Sequence, residues 1–253
     1  MVITSPHNPR VKGVVRLRKR RHRDDTGTFI VEGRREATRA VAAGVDIATL
    51  FLQTGEIPPA GIDADIVDVS PAVFAKMSAR QGPDGVLAVA RTWDLGLDRI
   101  KTTTGALVLV AAGIEKPGNL GAMLRTADAA GVDAVVLADP VCDPFGPNVV
   151  RASQGSLFSV PLGAGSAAEV LAWLDRADLE VFTTSPTAET AYWEHDYSEG
   201  AAFVIGPEDV GLSGLWFESG TPVRIPMAGE ADSLNASVAA GIVLFEAVAA
   251  RSR

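Results

Sequence analysis

The sequence predicts an α/β protein with a mainly parallel sheet. Continuous apolar runs, such as the one at residues 107–110, are typical of strands that a parallel sheet buries on both faces. Segments of helical periodicity separate these runs, which is the order expected when helices cover both faces of the sheet. With 253 residues, 47% of them hydrophobic and 21% charged, the chain can bury a sizeable core.

The first half predicts a small α/β unit. Strands are expected at 28–31, 47–52, 66–69 and 86–90. A helix at 34–43 ends at Gly44, and Ser70-Pro71 begins a second, shorter helix. Residues 94–104 lose this periodicity and predict a linker. The expected domains are therefore residues 1–93 and 105–253.

The second half predicts the larger sheet. Strands are expected at 107–110, 134–137, 157–160, 179–183, 202–205 and 222–225, and helices at 120–130, 167–175 and 235–250. The last helix is almost wholly apolar, with more apolar surface than one sheet easily covers, and this favours a partner subunit.

Several protein classes are disfavoured. The N-terminus has no apolar run typical of a signal peptide, and no uninterrupted apolar stretch is long enough for a membrane span. Cys142 is the single cysteine, so no intrachain disulfide can form, and the three histidines lie far apart. A cytoplasmic protein without a structural metal is expected.

Positive charge is concentrated at one end. Residues 1–40 hold 11 of the 23 Lys and Arg and four of the 31 acids, a balance of +7, whereas the remainder carries −15. The basic cluster, as we name its densest part, comprises Arg16, Arg18, Lys19, Arg20, Arg21 and Arg23. It favours contact with nucleic-acid phosphates, and the alternative is a solvated, solubilising turn.

Three segments carry candidate chemistry. The first, at 115–128, follows a buried strand and places Arg125 on a helix after two glycines, although Arg125 and Asp128 could simply form a surface pair. The second runs from a strand into Gly206 and Glu208, where the acid could instead start a helix. In the third, at 224–237, Ser233 and Asn235 suit helix caps, and free N–H groups there would suit a carboxylate or phosphate.

Together these segments resemble the SpoU (TrmH) branch of the SPOUT RNA methyltransferases. The matching patterns are Asn119-x-Gly121-x-x-x-Arg125, Gly206-x-Glu208-x-x-Gly211, Ile225-Pro226-Met227 and Ser233-Leu234-Asn235-x-Ser237, with Arg151-Ala152-Ser153-x-Gly155-Ser156 between the first two. Asn8-Pro9-Arg10-Val11-Lys12 and Phe29-Ile30-Val31-Glu32-Gly33 are similar to the small substrate-binding domain that often precedes the catalytic one. The departures, Glu115-Lys116 and Asp209, remove no matched group.

The resemblance implies a C-terminal trefoil knot that forms a pocket for S-adenosylmethionine, and a homodimer whose active sites lie across the interface. The positions carried over to cofactor binding are Gly206, Ile225 and Leu234, with Met227 beside them. Thr184, which follows a strand end, is also expected to line the pocket. The implied reaction is 2′-O-methylation of a ribose in RNA, with ribosomal RNA favoured over transfer RNA.

Arg125 matches the family's catalytic arginine, to which a base role has been assigned. A clamp on the neighbouring phosphate that stabilises developing alkoxide is easier to defend, because a guanidinium essentially never deprotonates. Asn119, Glu208, Ser233 and Asn235 match residues that position the substrate or support this arginine.

Two other classes of function are alternatives for this sequence. A non-catalytic RNA-binding protein could keep the fold, but the five matched catalytic positions are all intact. A nucleotide-dependent oxidoreductase lacks the glycine fingerprint of a dinucleotide site. Cofactor titration distinguishes the three hypotheses.

Overall fold

The computed structural model describes residues 2–103 and 105–252. Two compact units divide the chain. The first contains the chain up to Asp94 together with Asp143–Ser159, and the second contains Leu95–Cys142 and the chain from Val160 onward. Among the described helices, none is both long and apolar enough to cross a membrane.

The first unit is built on a four-stranded mixed sheet. Its strands are β1 (Thr28–Glu32), β2 (Ile47–Gln53), β3 (Asp65–Val69) and β4 (Val86–Arg91), in the order β1-β4-β2-β3. β4 is antiparallel to β1 and β2, and β3 is parallel to β2. Its helices within the first 94 residues are α1 (Pro9–Arg16), α2 (Arg20–Thr26), α3 (Arg34–Ala42) and α4 (Pro71–Met77).

Local sequence explains where two of these helices begin. The side chain of Asn8 accepts a hydrogen bond from the backbone of Arg10, and Ser70 accepts one from Val73. In both helices the capping residue is followed by proline, whose missing N–H is harmless in the first turn. Sequence analysis predicted α4 but missed α1 and α2, which have few buried residues to set a period.

The second unit contains a six-stranded, wholly parallel sheet. Its strands are β5 (Leu107–Ala112), β6 (Ala134–Ala138), β7 (Leu162–Gly165), β8 (Val181–Thr184), β9 (Ala201–Ile205) and β10 (Thr221–Val223), in the order β10-β8-β9-β5-β6-β7. Its helices are α5 (Pro117–Ala130), α7 (Ala167–Arg176), α8 (Gly214–Ser219) and α9 (Ala236–Arg251); α6 (Pro147–Ser153) belongs to the first unit. The predicted parallel α/β fold is confirmed.

One predicted strand is wrong. Residues 156–158 form a turn of 3₁₀ helix, and the strand begins later, at Leu162. Leu157 is buried, and the ring of Phe158 lies near those of Phe29 and Trp93 within the first unit. The apolar run was real, but apolarity alone does not distinguish a strand from other buried structure.

The division of the chain differs from the predicted one in two places. Ile100 is buried in the core of the second unit and Leu97 packs against that core, so this part of the expected linker belongs to the second unit. Asp143–Ser159, expected in the C-terminal domain, is part of the first unit. There Asp143 pairs with the buried guanidinium of Arg23.

Candidate active site

Three neighbouring strands of the parallel sheet end beside one cavity. The carboxyl ends of β8, β9 and β10 lie at the same edge, where parallel α/β sheets bind ligands. The cavity has a volume of about 400 Å³. Its lining comes from the loops after these strands and from the start of α9, including Ala236 and Ala239.

All five residues predicted to bind the cofactor line this cavity. They are Thr184, Gly206, Ile225, Met227 and Leu234. The hydroxyl of Thr184 donates to the carbonyl of Val204 at 3.0 Å, which ties the end of β8 to β9. That S-adenosylmethionine occupies the cavity stays a prediction of these positions.

Gly206 allows a close approach of the loop to itself. A Cβ at this position would lie 2.9 Å from the carbonyl carbon of Gly211 and 3.0 Å from a methyl group of Leu212. Real Cβ atoms essentially never approach backbone that closely, so only glycine leaves this loop undisturbed. Gly211 itself has a φ of 65°, in the left-handed region that favours glycine.

Glu208 is the centre of a polar network at the rim of the cavity. Its Oε1 accepts from the Asn119 side chain at 2.8 Å, from the Asn235 side chain at 2.6 Å and from the Ala236 backbone N–H at 3.2 Å. Its Oε2 accepts a hydrogen bond from the Lys116 ammonium, Nζ, at 2.8 Å. The Asn235 side-chain amide also donates a hydrogen bond to the side-chain oxygen of Asn119, at 3.0 Å.

This network holds Glu208 in its ionised form. The hydrogen bond from Lys116, then those from the Ala236 backbone and Asn119, lower the pKa of the Glu208 carboxyl below its usual value. The same contact with Glu208 raises the pKa of the Lys116 ammonium. A carboxylate with donors on both oxygens and a lowered pKa is a poor proton acceptor, which favours the predicted positioning role of Glu208 over a role as a base.

Asn235 joins the network to the last helix. It is the N-cap of α9, and its side-chain oxygen accepts from the Ser237 backbone at 3.0 Å and from the Ser237 hydroxyl at 2.6 Å. The capping interpretation and the site interpretation therefore both apply to this residue. Ser233 lies exposed on the cavity wall, two residues earlier.

Arg125 does not line the cavity of its own chain, as far as the described residues show. It lies on an exposed face of α5 and is not among the described residues that line the cavity. Within the described part of the chain, no hydrogen bond or ion pair is shown for its guanidinium. A free guanidinium of this kind is available to an external anion.

The basic cluster separates into two groups. Arg23 is buried in the first unit, bonded to Asp143 and to the Leu17 carbonyl oxygen, so it is an exception to the predicted RNA contacts. Arg18 donates to three carbonyl oxygens at the end of α4, at 2.7 to 3.1 Å. The exposed remainder comprises Arg16, Lys19, Arg20 and Arg21.

Two features of the site were missed by sequence reasoning. Lys116 was noted only as a departure from the family pattern, although its spacing from Asn119 places both near the start of one helix. Phe217 contributes an apolar wall from α8, a helix of six residues that was not predicted. Ser213, which precedes α8, and the buried Trp216 were the available signals.

Comparison with known proteins agrees with this geometry. Residues 106–245, more than half of the chain, match the model of the SpoU rRNA Methylase family, and residues 8–88 match that of the MRM3-like substrate binding domain. A Bacillus subtilis protein named 23S rRNA (guanosine(2553)-2′-O)-methyltransferase RlmP is 30% identical over 96% of this chain and 97% of its own.

Two solved structures extend the likeness to the whole chain. One is described as an RNA 2′-O ribose methyltransferase; it is 43% identical, with a TM-score of 0.88 over 100% of both chains. The other is the SpoU methyltransferase AviRb from Streptomyces viridochromogenes in complex with AdoMet, 30% identical, with a TM-score of 0.90 over 97% of this chain and 99% of that one.

The family model and the solved structures thus identify a methyltransferase of the α/β class, and the chain belongs to the SpoU rRNA methylase family. It is an enzyme that uses S-adenosylmethionine to methylate RNA at a ribose 2′-hydroxyl.

Proposed function

We propose that the RNA substrate is ribosomal RNA and that the reaction takes place at the cavity beside Glu208. The observation that carries the proposal is the network in which Lys116, Asn119 and Asn235 converge on one carboxylate at the cavity rim. The name of the Bacillus subtilis relative supports the choice of ribosomal RNA.

The cavity suits the charge of the methyl donor. Three acids, Glu208, Asp209 and Asp232, are among its described lining residues, and no Lys or Arg is. Such a lining favours a cation, and S-adenosylmethionine supplies a methyl group on a positively charged sulfonium. The apolar wall from Ile225 and Leu234 matches the mostly apolar lining of small-molecule sites.

The chain's own residues hold the nucleophile. As the ribose oxygen forms the new bond to the methyl carbon, the bond from that carbon to the sulfonium sulfur would break, S-adenosylhomocysteine would leave, and the proton of the hydroxyl would pass to water. We assign Arg125 to binding the adjacent phosphate and stabilising the developing negative charge, because a guanidinium essentially never gives up its proton. Asn119, Glu208, Ser233 and Asn235 position the loops around the reacting groups.

We propose a trefoil knot at the C-terminus. Glu208, in the loop after β9, accepts a hydrogen bond from the backbone N–H of Ala236 at the start of α9. The same loop and the segment that leads into α9 both line the cavity. These contacts support a C-terminal segment that threads the loop, as the family resemblance implies.

We propose that the enzyme is a homodimer. One face of α9 packs in the core through residues such as Val243 and Leu244. A second stripe, on which Val238 and Phe245 are each about half exposed, is apolar and faces away from that core. Burial of this stripe against a second subunit would also allow Arg125 to serve the partner's cavity.

We further propose that the first unit is the substrate-binding domain and that Lys19, Arg20 and Arg21 contact phosphates. Arg20 and Arg21 make long, exposed ion pairs, at 3.7 and 3.9 Å, and pairs of this kind contribute little and are easily exchanged. A protein that modifies ribosomal RNA is expected to work in the cytoplasm.

The test is a map of ribose methylation in RNA from cells with and without the gene. The proposal predicts that one ribosomal RNA nucleotide loses its 2′-O-methyl group in the deletion strain and regains it with the wild-type gene. Complementation by an Arg125→Ala gene should fail. A change confined to transfer RNA would overturn the choice of substrate.

A further inference from the structure

A second groove lies on the first unit, between α1 and α4. It has a volume of about 590 Å³. It is lined by Pro6, His7, Lys12, Val15, Arg16, Ala72 and Lys76. From this set, sequence analysis predicted RNA contact for Arg16 alone, and it named Lys12 as part of the N-terminal motif.

Each of the two helices contributes basic side chains to the groove, Lys12 and Arg16 from α1 and Lys76 from α4. Lys12 and Arg16 are four residues apart on α1, and Ala72 and Lys76 are four residues apart on α4, so each pair shares one face of its helix. Neither helix contains an acidic residue. The described lining likewise includes no Asp or Glu.

The cations of this groove have no counterion in the structure. Lys12, Arg16 and Lys76 are exposed, and within the described residues no hydrogen bond or ion pair holds their charged ends. Nearby basic residues differ, since Arg10 pairs with Asp65 and Arg18 is occupied at the end of α4. Three cations without a described partner, on two packed helices, favour the binding of an anionic ligand.

We propose that this groove binds the phosphodiester backbone of the RNA substrate, with Lys12, Arg16 and Lys76 as the contacting cations and His7 at its edge. The inference rests on the proposed function and adds to it a phosphate site separate from Lys19, Arg20 and Arg21. Contacts of this kind set the position of the RNA on the protein and do not read bases.

A structural role is the alternative for two of the cations. Arg16 and Lys76 lie in the last turns of their helices, where a positive charge offsets the helix dipole. That role predicts a loss of thermal stability without a change in RNA affinity, so both quantities must be measured.

The experiment compares two full-length double variants with equal loss of charge. Lys12→Gln/Lys76→Gln removes two groove cations, and Lys101→Gln/Arg176→Gln removes two exposed cations of the other unit. Binding to transcribed 23S rRNA and to an RNA of unrelated sequence is titrated against monovalent salt. Thermal unfolding and S-adenosylmethionine affinity are measured on the same samples.

The groove variant should bind both RNAs about tenfold or more weakly at 0.1 M salt, with the log–log salt slope reduced by about 1.4 to 1.8, as for two lost phosphate contacts. Its cofactor affinity should match that of the wild type.

A salt slope equal to that of the control variant overturns the proposal that the groove binds RNA. Methylation of ribosomal RNA by the wild type would in that case leave the proposed function intact. Failure of the wild type to methylate ribosomal RNA would instead overturn the proposed function.

Discussion

Arg125 and Glu208 show how differently two residues of one site are held. Glu208 has donors on both oxygens, from Lys116, Asn119, Asn235 and the α9 backbone. Arg125 is exposed, with no partner among the described residues. The first residue shapes the cavity before substrate arrives, and the second is free to meet a charge that the substrate brings.

Replacement of Arg125 should separate chemistry from cofactor binding. Arg125→Ala is expected to leave S-adenosylmethionine affinity nearly unchanged and to lower kcat by roughly 100-fold or more, as for loss of a donor to developing negative charge. Arg125→Lys keeps the charge without the planar fork and should recover only part of the rate. Calorimetry that shows cofactor affinity falling in step with kcat would mean that Arg125 mainly shapes the pocket.

The Glu208 network should contribute stability over a defined pH range. Because the folded-state pKa of Glu208 is lowered, its contribution is present above the ordinary value near 4.5 and is lost as the pH falls through the lowered value. The raised pKa of Lys116 keeps that partner charged up to and beyond 10.5. The stability difference between wild type and Glu208→Gln should therefore be constant from pH 5.5 to 9.

Chemical denaturation at a series of pH values measures this difference, which should shrink below pH 4.5. Asp209→Asn is the matched control, because it removes the neighbouring exposed charge and keeps the hydrogen bonds that Glu208 accepts. A difference that varies between pH 6 and 8 would contradict the assignment and point to another titrating group.

At the scale of elements, periodicity predicted the buried parts of the fold and failed where burial is slight. Every strand of the large sheet except β7 was placed within two residues of its start, and β5, β6 and β9 among them are buried along their whole length. The short helices α1, α2, α6 and α8 were missed, since six to eight residues give too little repeat to detect.

The site was predictable in its residues but not in its contacts. The predicted positions Thr184, Gly206 and Leu234 do meet at one cavity. Sequence could not show that Lys116 reaches Glu208 across 92 positions of chain. Nor could it show that Arg23, one of six clustered cations, is buried against Asp143, because ion pairs between distant segments leave no local pattern.

The loop after β9 should tolerate no side chain at Gly206. Gly206→Ala would place a Cβ 2.9 Å from backbone, and relief of that contact must move the loop that lines the cavity. We expect S-adenosylmethionine to bind at least tenfold more weakly. Gly214→Ala is the control, since a Cβ there has nothing within 4 Å. Isothermal titration that finds equal affinity for both variants would remove Gly206 from the site.

At the scale of the whole molecule, the exposed Arg125 and the apolar stripe of α9 both favour an active site shared between two subunits. Sedimentation at micromolar concentration should show a dimer. A monomer would leave Val238 and Phe245 in water and would leave Arg125 without a cavity to serve.

Mixed dimers test where Arg125 acts. Co-expression of Arg125→Ala with Gly206→Val should restore about a quarter of wild-type activity if the arginine serves the partner's cavity, because half of the randomly formed dimers then carry one intact site. If Arg125 acts on its own subunit's cavity, every site carries one lesion and no activity returns. Each variant alone provides the baseline.

The central claim is that the cavity beside Glu208 carries out ribose 2′-O-methylation of ribosomal RNA. Its most direct test is to incubate the full-length protein with transcribed 23S rRNA and S-adenosylmethionine labelled in the methyl group, and to digest the product to nucleosides. The account predicts label in a single 2′-O-methylnucleoside, and none with Arg125→Ala. Label on a base, or no transfer by a wild-type protein that binds both RNA and cofactor, would contradict it.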